Sequence, residues 1–131
     1  MTSSLRIVIA DDDPDTVLTL AAILHDEGHQ VYGFATGREA VAAARLYRAE
    51  VMIIDIQMPD MTGYDIARSV REHVEPPPLL IAISGRWKSE TDMLLSVVVG
   101  FDRHFPKPCD PGELIDFLDH WRAEQPSPQG T

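Results

Sequence analysis

Apolar positions fall in short runs of strand length, separated by amphipathic stretches of helix length. LRIVIA (5–10), VMIID (51–55) and LLIAIS (79–84) are almost wholly apolar, which predicts strands buried on both faces of a sheet. Between the first two, residues 14–27 place Val17, Leu20, Ala21 and Leu24 at helical spacing. Asp13 is a natural N-cap before Pro14, and Gly28 stops that helix. A short strand follows at 30–34. Thr36 and Glu39 have the spacing of a capping box that opens an Ala-rich helix running to about Tyr47. MPDMTG (58–63) reads as a loop, and a helix follows over 63–73. Pro76, Pro77 and Pro78 exclude a helix and deliver the chain to the strand at 79–84. A further helix is predicted over 89–99, ending at Gly100, although Val97, Val98 and Val99 are β-branched and poor helix formers. A short strand at 103–106 and a helix capped by Asp110 complete the pattern, with Leu114, Leu118 and Trp121 facing inward.

Five strands alternating with five helices predict a doubly wound α/β fold with a parallel sheet covered on both faces. Pro106 cannot donate to a ladder, so its strand belongs at an edge. The flavodoxin-like order 2-1-3-4-5 puts the fifth strand there and makes the first and third strands neighbours. One domain over residues 1–123 is expected, with a disordered tail over 124–131.

The chain has 131 residues, 44% hydrophobic and 24% charged, which suits one globular domain. Its net charge of -10 argues against direct contact with nucleic acid or an anionic membrane surface. No apolar run is long enough to span a bilayer, and no basic segment precedes the first one as in a secretory signal. The single cysteine, Cys109, excludes an internal disulfide and fits a reducing, cytoplasmic setting. His25 and His29 have a spacing that serves zinc elsewhere, but Gly28 ends the helix between them, so both are read as surface histidines.

The strand ends carry the chemistry. Asp11 and Asp12 follow the first strand, Asp55 closes the third, Ser84 closes the fourth, and Lys107 follows the fifth. Open α/β sheets bind ligands beyond the C-terminal ends of their strands. Three carboxylates in one crevice repel one another unless protonated, solvated or neutralised by a cation, and hard oxygen ligands suit Mg²⁺. Such a site can hold a phosphoryl group, with Asp55 as a nucleophile that forms an acyl phosphate. Ser84 can hydrogen-bond a phosphoryl oxygen. Lys107 starts about 10 Å away, a gap that its flexible stem can largely cover.

The acidic pair in IVIADDDPD, DIQMPDMTG around Asp55, IAISG with Ser84, and GFDRHFPKP, in this order and spacing, resemble the response-regulator receiver domain of two-component signalling, the chemotaxis-regulator type. The resemblance covers residues 5–122. It implies that Asp55 accepts a phosphoryl group from a histidine of a sensor kinase or phosphotransfer protein. It implies Mg²⁺ bound directly by Asp12, mostly through water by Asp11, and by Asp55 and the backbone carbonyl of Gln57. Ser84 and His104 would form the switch, Lys107 would pair with the phosphoryl group, and the Lys107–Pro108 bond would be cis. The predicted 89–99 helix, the fifth strand and the last helix would be read by a downstream protein. His104 stands where the family more often has Tyr or Phe. Gln57 and Arg86 occupy positions that tune phosphoryl lifetime in that family.

Three other classes compete. A haloacid-dehalogenase-type phosphatase needs a second acid two residues after its nucleophile, and Gln57 cannot serve. A flavin-binding electron carrier needs a Ser/Thr/Gly phosphate loop after the first strand, where ADDDPD would repel a phosphate. A receiver-like adaptor acting without phosphorylation has no use for the acid–Ser–Lys set.

Overall fold

In a computed structural model, which describes residues 4–85 and 100–125, five strands form one parallel sheet in the order β2-β1-β3-β4-β5. The elements are β1 (Arg6–Ala10), α1 (Pro14–Asp26), β2 (Gln30–Phe34), α2 (Gly37–Leu46), β3 (Val51–Asp55), α3 (Gly63–His73), β4 (Leu79–Ser84), β5 (Arg103–Pro106) and α4 (Pro111–Glu124). The predicted strand order holds, and β5 with its proline lies at an edge. The helix predicted over 89–99 and the tail from 126 onward lie outside the described residues.

β3 and β4 are buried along their whole length because helices cover both faces. Strand alternation divides the core in two. Ile7, Ile9, Ile53, Ile81, Ile83 and Phe105 pack with Leu20 and Leu24 of α1 and with Leu114 and Leu118 of α4. Val8, Ala10, Met52, Ile54, Leu80 and Ala82 point the other way, onto the alanines of α2 and onto Ile66, Ala67 and Val70 of α3.

The helix ends follow side-chain chemistry. Asp13 accepts the Asp15 N–H at 3.0 Å with Pro14 at the first helical position, and Asp110 accepts the N–H groups of Gly112 and Glu113 ahead of α4. Gly28, at φ +92, turns the chain out of α1, a conformation that costs a glycine little. At α2 only half of the predicted capping box forms. Thr36 accepts the Glu39 N–H, but the Glu39 carboxylate takes the Thr36 hydroxyl rather than its N–H. The complete box lies at α3, where the Thr62 side chain accepts from the Asp65 N–H and the Asp65 carboxylate from the Thr62 N–H.

His25 is exposed as expected, whereas His29 is not a surface residue. It is 5% exposed, and its Nδ1 accepts the Leu5 N–H at 3.1 Å. The turn at Gly28 carries the chain back beneath β1, where the backbone N–H ahead of the strand needs an acceptor.

Candidate functional site

Parallel pairing sets the strand ends side by side. Ala10 is in register with Ile54, Asp55 with Ile83, and Ser84 with Pro106. Asp11 follows its strand by one residue, with its N–H still bonded to the Phe34 carbonyl at 3.1 Å. It is therefore buried beside Asp55, whereas Asp12, one residue further, is exposed.

Asp11 and Asp55 are oriented in the same way. Each turns Oδ1 onto the backbone N–H two residues on, Asp13 at 2.9 Å and Gln57 at 3.0 Å. Each turns Oδ2 toward Lys107, whose Nζ lies 2.8 Å from Asp11 and 3.0 Å from Asp55. The contact with Asp55 is a hydrogen bond. The contact with Asp11 has ion-pair distance without hydrogen-bond alignment, so that buried oxygen has a charge beside it but no directed donor.

Burial raises the Asp11 carboxyl above its ordinary range, the Lys107 ammonium and the Asp13 N–H oppose this in part, and the Asp55 charge adds to it. Burial works against the Lys107 ammonium, but the two carboxylates beside it, Asp11 and Asp55, outweigh that and hold it above the ordinary lysine value. One ammonium thus serves two buried carboxylates.

An oxygen from each of Asp11, Asp12 and Asp55 lies within 4.8 Å of the others. Mg²⁺ bonds oxygen at about 2.0–2.1 Å, so oxygens this close can share one ion directly or through its water. The surplus negative charge and the Asp11 oxygen without a directed donor fit a divalent cation.

Ser84 is buried at the end of β4, and its carbonyl accepts the Lys107 N–H at 3.0 Å, which ties the β4 end to the base of the lysine. The Lys107–Pro108 bond is cis. His104 is half-buried on β5, opposite Ala82, with its ring 6.2 Å from that of Phe101. Burial first, and then the Arg103 charge, lower its pKa below the ordinary histidine value. Gln57 is exposed on the loop after β3. Arg86 lies outside the described residues.

Sequence reasoning missed Asp60. Its carboxylate accepts the N–H groups of Gly37 at 2.8 Å and Arg38 at 3.0 Å, fastening the loop after Asp55 to the N-terminus of α2. Those two bonds lower its pKa. No local spacing signals a contact made across more than 20 residues of chain.

The family model described as "Response regulator receiver domain" matches residues 7–119. Protein PilH of Pseudomonas aeruginosa is 32% identical over 114 residues, covering 87% of this chain and 94% of PilH. The cell cycle transcriptional regulator CtrA of Caulobacter vibrioides is 31% identical over 112 residues, covering 85% of this chain but only 47% of CtrA. The chain thus spans nearly all of the first relative and about half of the second. Among solved structures, the chemotaxis response regulator CheY4 of Vibrio cholerae superposes with a TM-score of 0.80 at 27% identity, covering 90% of this chain and 98% of that one. A CheY-like receiver domain protein from Methanospirillum hungatei gives 0.83 at 28% identity, covering 93% and 96%.

Proposed function

Because this chain belongs to the response-regulator receiver family, we propose that it is a phosphorylation-dependent switch that accepts a phosphoryl group on Asp55 from a phosphohistidine of a sensor kinase or phosphotransfer protein. The family makes it a signalling domain rather than an enzyme that turns over outside substrates. The observation that carries the reading is Lys107 Nζ held between Asp11 and Asp55, at 2.8 and 3.0 Å, beside the exposed Asp12.

In the proposed reaction an Asp55 carboxylate oxygen attacks phosphorus and the P–N bond to the donor imidazole breaks; its electron pair stays on that nitrogen, and the ring, already protonated on its other nitrogen, leaves as neutral imidazole. Asp55 is oriented for this by the Gln57 N–H on Oδ1 and by Lys107 on Oδ2. Once the acyl phosphate forms, the Lys107 ammonium stays beside the added negative charge. The Ser84 hydroxyl, at the end of the neighbouring strand, donates to a phosphoryl oxygen. Asp11, Asp12, Asp55 and the Gln57 carbonyl would hold Mg²⁺, which supplies charge neutralisation to the transferring group. Gln57 supplies no carboxyl to protonate a leaving group or to take a proton from water, so the site does not act as a general phosphatase on outside substrates.

The signal leaves through Ser84 and His104 to the face of β5 and α4, together with the helix predicted over 89–99, where a downstream protein reads it. Among the described residues no helix is long and apolar enough to cross a membrane. A cytoplasmic site of action and the absence of direct nucleic-acid contact belong to this proposal and rest on the lone cysteine and the net charge of -10.

Acetyl phosphate with Mg²⁺ should add one phosphoryl group to the wild-type chain, read by intact mass, and Asp55→Asn should abolish it. A folded wild-type chain that stays unlabelled would instead favour an adaptor acting through its surface alone.

A further inference from the structure

The opposite end of the sheet carries a second concentration of charge, and of the other sign. A cavity of about 690 Å³ opens there, among the start of β1, the ends of α2 and α3, and the end of α4. That volume lies in the range of small-molecule sites. Its walls include Arg6, Arg45, Arg48, His73 and Trp121. Three of the chain's nine arginines therefore surround one hollow in a molecule of net charge -10. Glu50 and Glu75 also line it, so the arginines are in excess.

Arg6 is fixed: Nε donates to the carbonyls of Tyr47 at 3.1 Å and Arg48 at 3.0 Å, and a terminal nitrogen lies 3.5 Å from Glu50. This leaves further guanidinium N–H groups on a rigid stem. Arg45 and Arg48 have no side-chain hydrogen bond or ion pair among the described residues. Arg48 also holds a left-handed backbone, φ +54, just beyond α2, a position that glycine or asparagine fills at lower cost. That turn closes the end of α2, where the Ala49 N–H reaches back to the Ala44 carbonyl at 3.0 Å, and it leaves the Arg48 side chain lining the cavity without a protein partner among the described residues. Guanidinium forks match phosphate oxygens, and the half-buried Trp121 gives the same cavity an aromatic wall on which a planar base can stack.

We propose that this cavity is a second ligand site, for a nucleotide polyphosphate, with Arg6, Arg45 and Arg48 on the phosphates and Trp121 against the base. It lies at the opposite sheet end from Asp55 and does not depend on the phosphoryl-acceptor reading.

The test uses ATP and inorganic pyrophosphate, titrated separately into the full chain with EDTA present, so that no divalent ion bridges the ligand to the acidic site. Backbone and indole N–H resonances are followed at about 0.15 M salt. Saturable shifts at Arg6, Arg48 and Trp121 are expected, with ATP tighter than pyrophosphate by about tenfold from base stacking. Trp121→Leu should remove that advantage. The double variant Arg45→Gln, Arg48→Gly should weaken both probes by about tenfold or more. It should keep or raise the melting temperature, because glycine relieves the left-handed turn. Equal affinity for the two probes would overturn the nucleotide assignment. Shifts confined to other residues, or unchanged binding by the double variant, would overturn the site itself.

Discussion

The His29 imidazole makes a bond that only its neutral form can make through Nδ1, since that atom accepts the Leu5 N–H at 3.1 Å. Burial is the main cause that lowers its pKa, and the Arg122 charge adds to it. The sign of the pH dependence follows. The unfolded chain takes a proton on this histidine near pH 6.5, while the native state resists until lower pH. The unfolded state therefore binds more protons in that window, and stability falls as pH drops below about 6.5. The slope from one histidine cannot exceed about 1.4 kcal/mol per pH unit. His104, also lowered, contributes in the same direction. Denaturant titrations between pH 7.5 and 5 should show this loss. His29→Leu should flatten part of it, while costing about 1–3 kcal/mol at pH 7 for the orphaned Leu5 N–H. An unchanged slope in the variant would mean that His29 titrates normally.

At the scale of elements, α3 starts where its chemistry dictates. Thr62 and Asp65 satisfy each other's backbone N–H groups, and that cap ends the loop that carries Gln57. Thr62→Ala should cost about 1 kcal/mol, read as a lower denaturation midpoint with unchanged m-value. A neutral result would show that Asp60, bonded to the start of α2, holds the loop alone. The strands were legible because burial on both faces leaves a pattern that hardly depends on partners: 30–34, 51–55, 79–84 and 103–106 match the observed spans, and β1 starts one residue later than read. The strand-end acids, Ser84 and Lys107 were legible for a related reason, since parallel register gathers strand ends at one edge. The two caps were not separable by spacing alone. Thr36 and Thr62 are each followed three residues later by an acid, and which acid reaches back depends on side-chain geometry. His29 and Asp60 were invisible because their partners, Leu5 and Gly37, are distant in sequence.

At the scale of the whole molecule, the buried carboxylates of the site work against the fold that positions them. Asp11 is fully buried, its pKa is raised chiefly by that burial, and a single lysine serves both it and Asp55. A cation that binds only the native arrangement therefore stabilises the molecule, by about 2.7 kcal/mol when its concentration is a hundred times its dissociation constant. Thermal melts should rise with Mg²⁺ and level off only logarithmically. Asp11→Asn keeps the acceptor for the Asp13 N–H while removing one of the crowded charges. The metal-free variant should melt higher than metal-free wild type, because the charge it loses is the most buried of the three. Its gain from Mg²⁺ should shrink or vanish, because the remaining acids attract the ion less. Were the variant to melt lower without metal, the Lys107–Asp11 ion pair would outweigh the cost of burying Asp11. The acidic end of the sheet would then be stable in its own right, without awaiting its ion.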